Sequence, residues 1–80
     1  MHLEIVTPDK KIFEGEVKSV KLPGSEGSFG ILNNHAPIIA TLGSGSIKIV
    51  DEKENASFFN VKSGIVEVIN NKIIVLTELV

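Results

Sequence analysis

"IVEVINNKIIVLT", residues 65–77, decides how the rest of the chain reads. Two runs rich in β-branched residues flank a pair of asparagines. Asparagine tolerates the left-handed backbone that a two-residue hairpin turn needs. Side chains alternate along a strand, so Ile73 and Val75 point one way in "KIIVLT" and Ile74 and Leu76 the other. Both faces are therefore aliphatic. One can be core; a small domain has little else with which to cover the second, which suits it to a partner.

The same period of two runs outward through the chain. "HLEIVT" (2–7) sets Leu3 and Ile5 on one face, and Thr7, Pro8 and Asp9 make a turn. In "KIFEGEVKSVKL" (11–22), Val20 and Leu22 share a face while Val17 has the opposite parity. A bulge near Lys18–Ser19 reconciles them, and Gly15 marks a bend. "PGSEG" (23–27) reads as a turn with Pro23 second and Gly24 third, at positive φ. "SFGIL" is a short strand and "NNHAP" (33–37) a loop. On the strand "IIATL", Ile38, Ala40 and Leu42 oppose Ile39 and Thr41. "GSGS" (43–46) turns into "IKIV", "DEKEN" leads to "ASFFNV", and "KSG" (62–64) reads as a turn into "IVEVI". About eight such runs at spacings of roughly 8–12 residues, with no helical stripe, predict an all-β fold. The expected architecture is an antiparallel β-sandwich of two sheets with about eight to ten short strands, a single domain over residues 1–80.

Composition narrows the function. The chain has 80 residues, of which 42% are hydrophobic, a large apolar supply for one small core. Eight lysines, no arginine and ten carboxylates give a net charge of −2. No basic stripe or arginine reader points to nucleic acid, and four phenylalanines are few for base stacking. Without cysteine there are no disulfides or thiolate metal sites. No window approaches ~18 consecutive apolar residues, so no membrane insertion is expected.

Candidate chemistry is sparse. Gly24, Gly27 and Gly30 are not followed by the Lys-Ser/Thr and helix of a phosphate loop. His2 and His35 lack the spacing of a metal pair, so neither metal nor cofactor is expected. His35 has Ser28 and Glu26 near it in sequence, yet no nucleophile motif accompanies them. Ordering of its own loop or contact with a partner is the stronger reading of His35. A free-standing carbohydrate- or peptide-binding module is the alternative, and it would want the exposed aromatics or arginine that this chain lacks.

"LEIVTPDKKIFEGEVKSVKLPGSEGSFGILNNHAP" and the later "VKSGIVEVINNKIIVLTE" carry a longer pattern. It resembles the N-terminal β-sandwich domain of the epsilon subunits of F-type ATP synthases, along essentially the whole chain. That family reads approximately "LEIVTP…FEGEV…V.LPG.EGEFGILPGHAP" and then "VSGGFVEV..NKVTVLAD". Here Ser28 stands where a carboxylate is common, "NNH" replaces "PGH", and "KSG" replaces "SGG".

The resemblance implies a non-catalytic rotor subunit of the central stalk. Such a subunit links the gamma subunit to the polar loops of the c-ring and couples proton flow to ATP synthesis. It is peripheral on the cytoplasmic face of the bacterial inner membrane. By position, Glu26, Ser28, Asn33, Asn34 and His35 are expected at the c-ring, and Ile38, Ala40 and Leu42 at gamma. Many family members continue into a C-terminal helical hairpin that regulates hydrolysis and in some binds ATP. Only Glu78, Leu79 and Val80 follow the last matched strand here. A naturally short subunit and a chain cut at the domain boundary both fit this; the natural short form, without nucleotide binding, is the expectation.

Overall fold

The 65–77 hairpin forms as read. A computed structural model describes residues 1–80 as seven strands: β1 (His2–Val6), β2 (Lys11–Gly24), β3 (Gly27–Leu32), β4 (Ile38–Leu42), β5 (Gly45–Asp51), β6 (Ala56–Ile69) and β7 (Lys72–Leu79). Asn70 and Asn71 turn β6 into β7 with φ of 50° and 60°, as a two-residue turn requires. No helix is present.

Two strands, β2 and β6, are 14 residues long and shape the fold. The first half of β2 pairs with β1, and its second half with β5 and β3. The first half of β6 pairs with β5, and its second half with β4, while β7 runs beside it from Val61 to Ile69. One layer therefore holds β1, β7 and β4 with half of β2 and half of β6. The other holds β3 and β5 with the remaining halves. Seven strands do the work expected of eight to ten because two of them serve both layers, and the hydrogen bonding forms one continuous sheet. All pairings are antiparallel except β1 with β7, which is parallel.

Each long strand crosses between layers at a bulge. In β2 the register shifts between Val17 and Ser19, where the parity break predicted it. In β6 it shifts between Val61 and Ser63. Val61 faces inward before the shift and Val66 and Val68 after it, so the inward parity changes there too. The expected turn at "KSG" is thus a bulge inside an unbroken strand. Gly64 belongs at this crossing, because a Cβ there would stand 2.7 Å from the Leu76 carbonyl oxygen.

The β2–β3 turn also differs from expectation. β2 continues through Pro23 and Gly24, and Ser25–Glu26 form the turn. Gly27, at φ 129°, takes the left-handed position expected of Gly24. Gly24 is small for another reason: a Cβ there would meet the Gly27 carbonyl oxygen at 2.5 Å and the Phe29 ring at 2.8 Å.

The core lies between the layers. Leu3, Ile5, Val66, Val68, Ile73 and Val75 from one meet Val20, Leu22, Ile31, Ile47 and Ile49 from the other, all buried. Phe13 and Phe59 meet edge to face, their centroids 6.2 Å apart. Thr77 is the one buried polar side chain, and its hydroxyl donates to the Ser63 carbonyl at the β6 bulge.

Candidate functional site

Outside the core, the first layer has a face of mixed character. On β4, β6 and β7 its outward residues are Ile39, Ile65, Ile74, Leu76 and Glu67. Ile39 is 69% exposed and Leu76 47% exposed. These five side chains line one shallow hollow. The ladder explains the cluster: Ile39 lies opposite Glu67, Glu67 opposite Ile74, and Ile65 opposite Leu76. A second hollow formed by Pro37, Ile39, Glu67 and Ile69 extends the apolar area towards the "NNHAP" loop.

The residues expected at gamma, Ile38, Ala40 and Leu42, lie on the inward side of β4. Leu42 is buried, and Ile38 and Ala40 pack against the core. The outward side chains of β4 are Ile39 and Thr41. Alternation identified the two sets, but both were apolar enough to be core.

The expected c-ring residues do not form one surface. Glu26 and Ser28 stand at the start of β3, and Asn33, Asn34 and His35 follow its far end. The six residues of β3 separate Glu26 from Asn33, seven steps of about 3.3 Å or about 23 Å at the rise of a strand. At the first end, Ser25 donates to the Thr41 carbonyl at 2.9 Å and shares a hydrogen bond with the Thr41 hydroxyl. This end is polar, exposing Ser25, Glu26, Ser28 and Ser44. At the other end, Asn33 Oδ1 accepts from the Met1 amine at 3.1 Å, and the Asn34 N–H donates to Asn71 Oδ1 at 2.8 Å. Asn34 has φ 62°, the backbone for which asparagine substitutes well for glycine. His35 Nδ1 donates to the Ala36 carbonyl at 2.7 Å, ordering its own loop, and its ring makes no other side-chain hydrogen bond.

On the β1–β2 side the same outer face is charged. His2 Nδ1 lies 2.9 Å from Glu16 and Nε2 3.0 Å from Glu14. Lys11 Nζ stands 2.6 Å from Glu14 and 3.5 Å from Glu4. Hydrogen bonds that the ring donates, first to Glu16 and then to Glu14, raise the His2 pKa. Lys11, and then His2, lower that of Glu14. Sequence reading missed this network, because the pairings of His2 with Glu16 and Glu4 with Glu14 come from the β1–β2 register. His2, Glu4 and Glu14 offer ligand atoms within 4.8 Å of one another, a metal-like grouping. The Lys11 ammonium already supplies the positive charge there, so the grouping acts as a salt network.

Comparison with known proteins agrees with this architecture. The family described as ATP synthase, Delta/Epsilon chain, beta-sandwich domain matches residues 1–80. The ATP synthase epsilon chain of Leptospira interrogans serovar copenhageni is 44% identical over 78 residues, covering 98% of this chain and 61% of the relative. That of Chlorobium limicola is 45% identical over 76 residues, covering 95% of this chain and 86% of the relative. The chain thus spans about three fifths of the Leptospira relative's length. A chain of the Euglena gracilis mitochondrial ATP synthase OSCP/F1/c-ring structure shares the fold with a TM-score of 0.89 at 21% identity, over 94% of this chain and 48% of its own. One from the Tetrahymena thermophila mitochondrial ATP synthase central stalk/c-ring structure does so at 0.79 and 24% identity, over 98% and 63%. With a family match along its full length, an epsilon-chain relative of which it covers most, and the expected sandwich, the chain belongs to the ATP synthase delta/epsilon-chain β-sandwich family.

Proposed function

We propose that this domain is a non-catalytic part of the rotating central stalk of an ATP synthase, held between the gamma subunit and the c-ring. The observation that carries the reading is the exposed aliphatic face of Ile39, Ile65, Ile74 and Leu76 on a domain whose core is already complete without it. Contiguous apolar surface of this kind marks interaction sites. Gamma is its proposed partner, with His35 and Asn34 at the margin of the contact, since the apolar area reaches Pro37 beside them. The polar end around Glu26 and Ser28 suits the polar loops of the c-ring. The domain would then work at the cytoplasmic face of the membrane, coupling proton flow to ATP synthesis. No helix is long and apolar enough to cross a membrane.

Replacing Leu76 by Glu places an unpaired charge at the centre of the proposed contact. It should weaken binding to the gamma subunit of the same organism by at least roughly 2 kcal/mol, the scale of a hot spot. Glu26→Lys should leave that binding unchanged and reduce ion-driven ATP synthesis in the assembled complex. Unchanged gamma binding by Leu76→Glu, checked by calorimetry, would remove this face from the contact.

A further inference from the structure

The second layer has its own outer face, separate from the one proposed for gamma. Its rows follow from the register. Gly30 lies opposite Lys21, Lys21 opposite Lys48, and Lys48 opposite Phe58, giving one row across β3, β2, β5 and β6. The next row runs Leu32, Ser19, Val50, Ala56 in the same way. Two lysines therefore stand side by side at the centre of this face.

Like charges directly opposite each other destabilise a sheet. The molecule's other like pair, Glu4 with Glu14, is neutralised by Lys11. Lys21 and Lys48 have no such counter-charge: neither makes an ion pair, and no carboxylate stands in either row. This is notable in a chain with a net charge of −2. Lys48 instead lies over the Phe58 ring, 6.0 Å from its centroid. Apolar side chains flank the lysines on one side, with Leu32 65% exposed and Phe58 62% exposed, while Ser28, Ser46 and Asn60 are exposed on the other. Gly30, lacking a side chain, leaves an open trough of ≈ 400 Å³ lined by Ser19, Lys21, Leu32, Lys48 and Val50.

We infer that this face docks a second polypeptide, through a segment that sets a carboxylate between Lys21 and Lys48 and aliphatic side chains on Leu32 and Phe58. A carboxylate there relieves the repulsion that folding leaves in place. The flanking apolar surface gives the segment a desolvated seat, where a charged contact is strongest. The paired cations without a nearby acid favour an acidic segment over a neutral one.

The probe is a synthetic helical peptide of leucine, alanine and glutamate, compared with the same peptide carrying glutamine for glutamate. Titration of the isotope-labelled chain should shift the amide signals of Ser19, Lys21, Gly30, Lys48 and Phe58 in a saturable way. The glutamine peptide should bind at least tenfold more weakly. Lys21→Glu should also cost at least tenfold in binding while leaving the free chain's melting temperature equal or higher, since the introduced carboxylate then faces Lys48. Lys48→Ser gives an independent check that introduces no new charge. Equal binding of the two peptides, absence of saturation, or shifts centred on Ile39 and Leu76 would each overturn the proposal. So would silence with the peptide alongside Lys21-dependent binding to phosphatidylglycerol vesicles, which would make the face a membrane contact.

Discussion

The two sides of β7 are built from the same kind of residue and meet opposite fates. Ile73 and Val75 are fully buried, while Ile74 and Leu76 lie outside on the layer's surface. Aliphatic character alone does not say which side folding consumes. The neighbours decide: inward, β7 faces Leu3, Ile5 and the second layer; outward, it faces solvent beside Ile39 and Ile65. A strand with two apolar sides thus uses one for stability and leaves the other exposed, free for the association proposed above.

The sharpest test of that contrast is to truncate each side in turn. Ile73→Ala should destabilise the isolated chain by about 2–5 kcal/mol, the range for emptying a packed core site. Ile74→Ala, on the exposed side, should stay within about 0.5 kcal/mol in the same urea titration. Similar losses for the two would mean that the outer side is packed in solution. An effect smaller than that of Ile73→Ala should follow from Gly64→Ala at the β6 crossing. Its added methyl meets the Leu76 carbonyl, part of the backbone, and overpacking of this kind costs about 1–3 kcal/mol. A neutral result would show that the bulge relaxes freely and that the two faces of β7 are less firmly assigned than the register implies.

The smallest effect concerns pH. Two carboxylates raise the pKa of His2 above its ordinary 6.5, so its stabilising contribution is fully present below about that value. That contribution is lost as pH rises through the raised folded-state value. Glu14 is lowered from 4.5, so its share is present above about 4.5 and fades as pH falls through its lowered value. The network should therefore stabilise most between these limits. The groups are solvent-exposed, so salt should weaken the effect. Melting temperatures of the chain and of His2→Gln should differ most near pH 5.5 and converge as pH rises through the raised His2 value. A gap independent of pH would detach the charged half of this face from fold stability.

Much of this was legible from residue order. The same-face pairs Leu3/Ile5, Val20/Leu22 and Ile73/Val75 followed from alternation, though not that these faces point inward, and the two asparagines marked their hairpin. The bulge in β2 showed because Val17 breaks parity amid residues that favour strands. The matching bulge in β6 was hidden, since Lys62, Ser63 and Gly64 are also what a turn would use. Local chemistry could not separate the two, because the deciding contact is between Gly64 and a strand that follows it. The same limit applies to the contact residues. Whether Ile38 or Ile39 faces the core depends on pairing with β6. That Glu26 and His35 sit at opposite ends of β3 depends on "SFGIL" extending fully between them. The β1–β7 pairing joins strands from the two ends of the chain, and no local signal announces its direction.

That pairing has a mechanical consequence. β1 and β7 run parallel in an unbroken ladder from His2 beside Lys72 to Val6 beside Leu76. A pull on residue 1 directed against residue 80 therefore slides the two strands along each other. Every bond of the ladder takes load at once; none peels open ahead of the rest. The hairpin of β6 and β7 has the opposite geometry and would unzip from its open end. Tension along the chain thus meets its greatest resistance where the first and last strands lie together.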